Sequence, residues 1–357
     1  MVQSSHGAPD DAPRSYDAVL YLSFGGPEGP DDVMPFLENV TRGRGVPRPR
    51  LEEVARHYHR FGGVSPINAQ NRAVIAALRR ELARNGPDLP VYWGNRNWKP
   101  YLADTMREMR DDRVRRAICF VTSPYSSYSG CRQYREDIAA AQASTGPDAP
   151  VIDKLRVFYN HPGFVGPMTD HVRTALQAVP ASRRAGTRLA FSAHSIPTAM
   201  AETSSYAQQL GEAARLVVAG LEGEYPWELV YQSRSGPPHV PWLEPDVSEH
   251  LEKLHARGVR DVVVVPLGFV SDHLEVRFDL DVEAAGTARR LGLHMVRTES
   301  VGAHPAYVRM IRDLIVERTR ERPERPALGS RPAGHDICAA DCCPAREPRP
   351  AAAQLPG

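Results

Sequence analysis

The chain has 357 residues, 42% of them hydrophobic and 24% charged, the proportions of a soluble globular protein long enough for two domains. Its 44 basic and 43 acidic residues leave a net charge of +1, so the clustered basic surface that phosphate binding demands is not expected, which argues against nucleic acid as the main partner. No apolar run reaches the ~18 residues of a transmembrane segment, and five cysteines in a chain this long do not read as a disulfide framework.

Residues 1–14 (MVQSSHGAPDDAPR) are polar and lack the apolar centre of a secretory signal, so they read as a disordered N-terminus on a cytoplasmic protein. Short apolar runs then alternate with helical patterns. Strands are expected at 17–24, 90–93, 116–122, 187–192, 227–232 and 259–269, and segments such as 71–84 and 206–221 carry apolar residues at helical spacing. Such alternation implies parallel sheets covered on both faces. The two halves also look alike. Leu22-Ser23-Phe24-Gly25-Gly26-Pro27 ends a strand in the first half, as Phe191-Ser192-Ala193-His194-Ser195-Ile196-Pro197 does in the second. Likewise the run AICFVTSPYSSYSG from Ala117 parallels VVVVPLGFVSDHLE from Val262. The expected fold is α/β, with two similar doubly wound (Rossmann-like) domains, parallel sheets, and an active-site cleft between them. The first domain is expected over 15–160 and the second over 161–304, with a C-terminal helix (305–322) packing on the first domain. The Pro-, Ala- and Arg-rich tail, 323–357, cannot bury a core by itself.

In open α/β sheets, ligands sit beyond the carboxyl ends of the strands. His194, residues 123–129 and residues 271–275 all follow strand ends and are placed to line one cleft. Gly25-Gly26-Pro27 lacks the GxGxxG spacing of a dinucleotide loop. His194 lies on a tight polar turn between Ser192, Ser195 and Pro197, where an imidazole of pKa about 6.5 is suited to accept a proton. Glu275, Asp279 and Glu283 form an acidic row, with His273 two residues ahead of it. Spacing of four places these carboxylates on one face of a helix, and the alternation of LEVRFDLDVE would equally share a face in a strand. Helix is preferred, because Asp272-x-x-Glu275 can form a capping box just after a strand. A base opposite an acidic row can take protons from a ring and deliver a metal ion. A solvated charged face is the competing reading.

Further blocks stand out. Tyr231-Gln232-Ser233-Arg234-Ser235-Gly236 and Pro241-Trp242-Leu243-Glu244-Pro245 form an irregular loop after a strand. Arg42 and Arg44 precede a Gly-Gly-x-Ser-Pro turn ending at Pro66, and arginine pairs bidentately with carboxylates. Ser123, Tyr125, Ser126 and Tyr128, with Trp98 and Lys99, follow strand ends and offer flat aromatic walls. Of the cysteines, Cys119 lies in an apolar strand, Cys131 on a loop, and Cys338, Cys342 and Cys343 in the tail. Four thiols match a [2Fe–2S] or zinc site in number, but C-x3-C-C is no standard metal motif, and free thiols are the alternative.

Together these blocks resemble the ferrochelatase family, over residues 16–320 and in its actinobacterial type. The resemblance implies insertion of Fe²⁺, the substrate metal, into a porphyrin, with coproporphyrin III favoured over protoporphyrin IX because that type is associated with the coproporphyrin route to haem. It places His194 on the family's catalytic histidine, Glu275 on its conserved glutamate, and Asp279 and Glu283 on its acidic ladder. His273 joins these as a metal or proton group. Arg42, Arg44, Ser65, Ser123, Tyr125 and Tyr128 become porphyrin contacts. It further implies a [2Fe–2S] cluster on Cys131, Cys338, Cys342 and Cys343, with Cys119 left out. Two departures are visible: AMAETSSY (199–206) replaces a common Gly-Asp pair, and Glu28 stands where some bacterial members have a metal-contacting tyrosine. A cobalt chelatase of the same fold and a non-catalytic haem or metal carrier are the competing functions, and a monomer is expected.

Overall fold

A computed structural model describes residues 15–236, 239–321 and 323–345, so the segment expected to be disordered at 1–14 lies outside the described residues. The first half holds β1 (Ala18–Ser23), α1 (Val33–Val40), α2 (Arg48–His59), α3 (Ile67–Asn85), β2 (Val91–Asn95), α4 (Leu102–Asp111), β3 (Arg116–Val121), α5 (Gln133–Thr145) and β4 (Val151–Lys154). After α6 (Pro162–Gln177), the second half holds β5 (Arg188–His194), α7 (Thr198–Glu202), α8 (Tyr206–Ala219), β6 (Trp227–Gln232), α9 (Val247–Ala256), β7 (Asp261–Val265), α10 (Leu274–Val276), α11 (Ala285–Leu291) and β8 (His294–Arg297). The helix α12 (Pro305–Thr319) follows.

Two four-stranded parallel sheets result, ordered β2-β1-β3-β4 and β6-β5-β7-β8. The orders are the same, with β1 matching β5 and β3 matching β7, the two pairings that the internal sequence likeness picks out. These four strands are central and covered on both faces, which is why they read as apolar runs; β7, DVVVV, is buried throughout. The edge strands β4 (VIDK) and β8 (HMVR) are half-exposed, four residues long and only partly apolar, and no strand was expected at either. The strand expected over 259–269 ends at Val265, where Pro266 has no N–H for the ladder.

The core runs through both halves. Tyr21, Phe120, Tyr125, Phe158, Phe164, Phe191, Val265 and Tyr307 belong to one buried cluster, and α12 packs on both α3 and α6. Beyond α12, the described tail has no helix or strand and is tied down by hydrogen bonds. Arg156 Nη2 donates to the Pro326 carbonyl at 3.0 Å, Leu328 N–H to Asn160 at 2.8 Å, and Asn160 Nδ2 to Arg331 at 3.1 Å. At Gly329 the tail passes α8 so closely that a Cβ would lie 2.3 Å from Glu212 Oε1, and its φ of +78° also favours glycine. No described helix is long and apolar enough to cross a membrane.

Candidate active site

The carboxyl ends of β5, β6 and β7 meet at one place. His194 is the last residue of β5, Gln232 the last of β6, and residues 271–275 complete the turn after β7 and begin α10. His194 Nδ1 lies 2.5 Å from the Ser195 carbonyl oxygen. A carbonyl only accepts, so Nδ1 carries the proton and Nε2 is left as the acceptor. Nε2 lies 3.8 Å from Glu275 Oε2, and the His194 side chain is 36% exposed, so a ligand can reach it. Tyr206 at the start of α8 donates its hydroxyl to the His194 carbonyl at 2.9 Å, fixing the turn.

The acidic row is helical, as expected, but of a different kind. The short α10 passes into a π-helical run, Arg277–Ala284, and then into α11. Bonding from i to i+5 widens the turn and keeps residues four and five apart close to one line. Glu275 is exposed, while Asp279 is held by the Ser233 hydroxyl and by Gln232 Nε2 at 3.2 Å. Ser233 has φ +61°, a left-handed conformation unusual for serine, which aims its hydroxyl from the β6 end at this carboxylate. Burial, reinforced by Glu275 and Glu283, pushes the Asp279 carboxyl up to about 7. Burial raises Glu283 as well, with a contribution from Asp246, and lowers His273 despite the opposing charge of Glu275.

The capping box is not formed. His273 occupies the N-cap, and the Asp272 carboxylate instead accepts from Ser300 N–H at 3.1 Å and Arg297 Nη1 at 2.8 Å. A guanidinium is the stronger donor, and it draws Asp272 toward β8. The same arginine grips Asp281 of the π-helical run with two bonds, 2.6 and 3.0 Å long, bracing the row from behind. Arg297 escaped sequence reasoning because β8 itself was not recognised.

The first half supplies the opposite wall. Tyr58 of α2 is buried and has its phenol raised, first by burial and then by the charges of Glu275 and Asp279. His57 stacks on Phe278 with ring centroids 3.8 Å apart, Arg277 lies over Phe61, and Gln70 Oε1 accepts the Asp272 N–H at 2.9 Å. The acidic row therefore faces both halves. A cavity of about 220 Å³ lined by Arg188, Trp227, Glu228 and His250 lies near the start of β5 and β6, away from these groups, and is small for a drug-sized ligand, let alone a macrocycle.

Comparison with known proteins settles the family. Residues 16–319 match the family model described as Ferrochelatase. The chain belongs to the ferrochelatase family. A coproporphyrin III ferrochelatase of Streptomyces griseus is 56% identical, covering 96% of each chain, and one of Mycolicibacterium smegmatis is 51% identical over 93% of this chain and 99% of its own. A ferrochelatase of Rhodopirellula baltica is 54% identical over 92% of this chain and 93% of its own. Among solved structures, SirB of Bacillus subtilis with Fe³⁺ superposes with a TM-score of 0.52 at 12% identity, covering 85% of this chain and 96% of its own, a likeness of fold alone. As a family member the protein is a metal chelatase, a lyase.

For this ferrochelatase the expected substrate contacts divide. Arg42 and Arg44 are exposed on the turn between α1 and α2, and the charge of Arg42 reaches Tyr101. Phe24 and Val64 expose apolar faces nearby, and Glu28 pairs with Arg72 at 2.6 Å. Ser123 and Tyr128 are half-exposed, Tyr128 donating to Glu136 at 3.0 Å. Two others lie deeper. Ser65 is buried against Gly26, with its N–H on the Pro27 carbonyl, and Tyr125 is fully buried with its hydroxyl on the Leu267 carbonyl at 2.9 Å. Both therefore sit beneath the exposed residues of the cleft wall.

The structure also gathers the four cysteines singled out above. Cys131 is buried at the foot of α5 and hydrogen-bonds Cys338, which pulls the Cys338 thiol down to about 7. Cys342 Sγ lies 3.7 Å from Cys343 Sγ, and burial pushes the Cys343 thiol up to about 12. Cys119 stays apart in β3. The imidazole of His335 stands with Cys338 and Cys342, all ligand atoms within 4.8 Å of one another. Sequence reasoning missed it, although H-x2-C-x3-C was there to be read.

The raised Asp279 gives a pH prediction. Its folded pKa lies above the unfolded value, so the folded state holds the proton more tightly, and stability falls as pH rises from about 4 to about 7. Asp279→Asn should remove that fall. Its stability relative to the parent should rise across this window and then level off, as read by urea midpoints at several pH values. A parallel offset at every pH would contradict the raised carboxyl.

Proposed function

We propose that this chelatase inserts Fe²⁺ into coproporphyrin III in haem biosynthesis. The carrying observation is the acceptor Nε2 of His194 beside Glu275 and the Asp279–Glu283 row. The streptomycete relatives named for coproporphyrin III support the choice of ring. The porphyrin lies in the cleft between the halves, Arg42 and Arg44 meeting its carboxylates and Phe24 its apolar face. His194 Nε2 takes each pyrrole proton, and the imidazolium forms beside the Glu275 carboxylate. Asp279, poised near neutrality, passes protons onward to Glu283 and solvent. Fe²⁺ travels inward past the same oxygen and imidazole donors, which hold it without the grip of a thiolate set. Iron insertion into coproporphyrin III and protoporphyrin IX, followed by absorbance, tests the choice. Faster turnover of protoporphyrin IX would reverse it.

Glu275→Gln should then slow insertion by about 10²-fold, whereas Glu283→Gln, about two turns further out, should cost far less. Steady-state rates across a range of Fe²⁺ concentrations measure both. Equal effects would make the row a solvated face.

We further propose a [2Fe–2S] cluster on Cys131, Cys338, Cys342 and Cys343. A tetrahedral metal with M–S bonds of about 2.3 Å spaces two thiolates about 3.8 Å apart, close to the 3.7 Å between Cys342 and Cys343, and Cys131 with Cys338 supplies the second pair. When bound, the cluster would supply a structural tie between the tail and α5. Cys131→Ser should lose two irons and two sulfides per chain together with the reddish-brown colour, and should lower stability; Cys119→Ser should keep them. Iron and sulfide assays on anaerobically purified protein decide between these outcomes. The domain limits at 15–160 and 161–304 and a cytoplasmic monomer complete the proposal, the last tested by fractionation and light scattering.

A further inference from the structure

We infer that the tail pocket is also a mononuclear site for a divalent metal ion, with His335 as a ligand. This goes beyond the cluster proposal, since it uses a different donor set and a single ion. The imidazole of His335 and the Sγ atoms of Cys338 and Cys342 lie within 4.8 Å of one another. A tetrahedral ion bound through sulfur at about 2.3 Å and imidazole at about 2.0–2.1 Å brings its donors about 3.3–3.8 Å apart, so small side-chain rotations close the set. Cys131, whose thiol interacts with that of Cys338, is the next thiol able to approach as the fourth donor. The result is a Cys₃His site, a standard structural zinc set.

The backbone that carries these donors is already held. Arg132 Nη1 donates to the Ala340 carbonyl at 2.7 Å and to the Cys342 carbonyl at 3.3 Å, and Arg135 Nη1 to Ala339 at 3.2 Å. These guanidinium groups, with Lys154 near Cys131 and Cys338, also offset the negative charge of three thiolates. Three donors lie within 4.8 Å of one another, two further thiols are near them, and one tetrahedral ion uses four. Cys343 is the one left over: it is buried, has φ +51°, and pairs with Cys342. His335 is exposed and needs no core rearrangement to swing in. The pocket can therefore be loaded in two ways. Iron with sulfide would engage all four cysteines, whereas a lone Fe²⁺ or Zn²⁺ would take His335 in place of Cys343.

Cobalt(II) titrated into reduced, metal-free full-length chain under argon reads the second form. Thiolate-to-cobalt charge transfer separates this pocket from the oxygen and imidazole donors of the cleft. The parent chain should bind one equivalent with intense tetrahedral bands. His335→Ala should weaken that binding at least tenfold and alter the bands, yet keep the parent's iron and sulfide content when purified anaerobically. Cys343→Ser should do the reverse, keeping the cobalt spectrum and losing sulfide. An unchanged cobalt affinity and spectrum in His335→Ala, or no thiolate–cobalt charge transfer in the parent, would overturn the inference. Absence of sulfide from the parent would sink only the cluster proposal, and the cobalt titration would still decide this one.

Discussion

Replacing His194 with alanine should lower the rate of iron insertion by about 10²–10⁴-fold, the contribution typical of a well-placed general base. Among the described residues, no other imidazole in the cleft has the same arrangement. Nδ1 is committed to the Ser195 carbonyl, so Nε2 is the acceptor, and Glu275 lies 3.8 Å away to stabilise the imidazolium. His273 cannot take over readily, because burial disfavours its charged form and its Nδ1 faces the Val276 N–H. Porphyrin affinity should change only a few-fold, since contact with the ring comes mostly from the walls of the cleft. Fluorescence quenching of the bound porphyrin and single-turnover metallation separate the two effects. A folded variant that metallates porphyrin at close to the parental rate would remove His194 from the mechanism.

The largest expected effect on stability comes from a pair far from the acidic row. Arg156 and Glu317 are joined by two bonds of 2.7 and 2.8 Å, with side chains 0% and 2% exposed. Burial raises the Glu317 carboxyl despite its partner, so desolvation outweighs the attraction in that environment. A pair of this kind adds little net stability but is costly to break. Arg156→Met should destabilise the fold by about 3–5 kcal/mol, because it leaves a buried carboxylate with only the longer contact to Arg325, 3.8 Å away, whereas Arg156→Met with Glu317→Leu should recover much of the loss. Arg156 also donates to the Pro326 carbonyl, so the single variant should release the tail to proteolysis. Chemical denaturation of the singles and the double tests this. Additive losses would mean that the ion pair is not what couples these positions.

What could be read from the chain follows its physics. Central strands of parallel sheets are apolar throughout, so β1, β3, β5 and β7 announced themselves, and their carboxyl ends located His194 and Glu275. The edge strands β4 and β8 mix polar and apolar residues over four positions and leave no such run. With β8 unseen, the Arg297 clamp on Asp272 and Asp281 was out of reach, and a capping box looked like the natural use of Asp272. The π-helical run was hidden for another reason. Carboxylates four apart fit an α-helix and a wider helix alike, and the choice depends on tertiary contacts such as Ser233 to Asp279. Tyr125 and Ser65 share sequence neighbourhoods with exposed residues, and only tertiary packing, across the halves at Leu267 for Tyr125 and against Gly26 for Ser65, shows that they are interior. His335 was passed over because a count of thiols leaves out imidazole, the other common ligand of zinc.

The wide turn at Arg277–Ala284 also limits how this stretch can vary in length. Deleting one residue inside it would let the segment relax to ordinary α-helical winding at about 100° per residue, and the tighter winding would make up most of the rotation lost with the deleted residue. Glu283 would keep roughly its facing, but the wide turn that sets Asp279 against Ser233 would be gone although no acidic residue had been lost. Length changes there should therefore disturb the middle of the acidic path more than its ends.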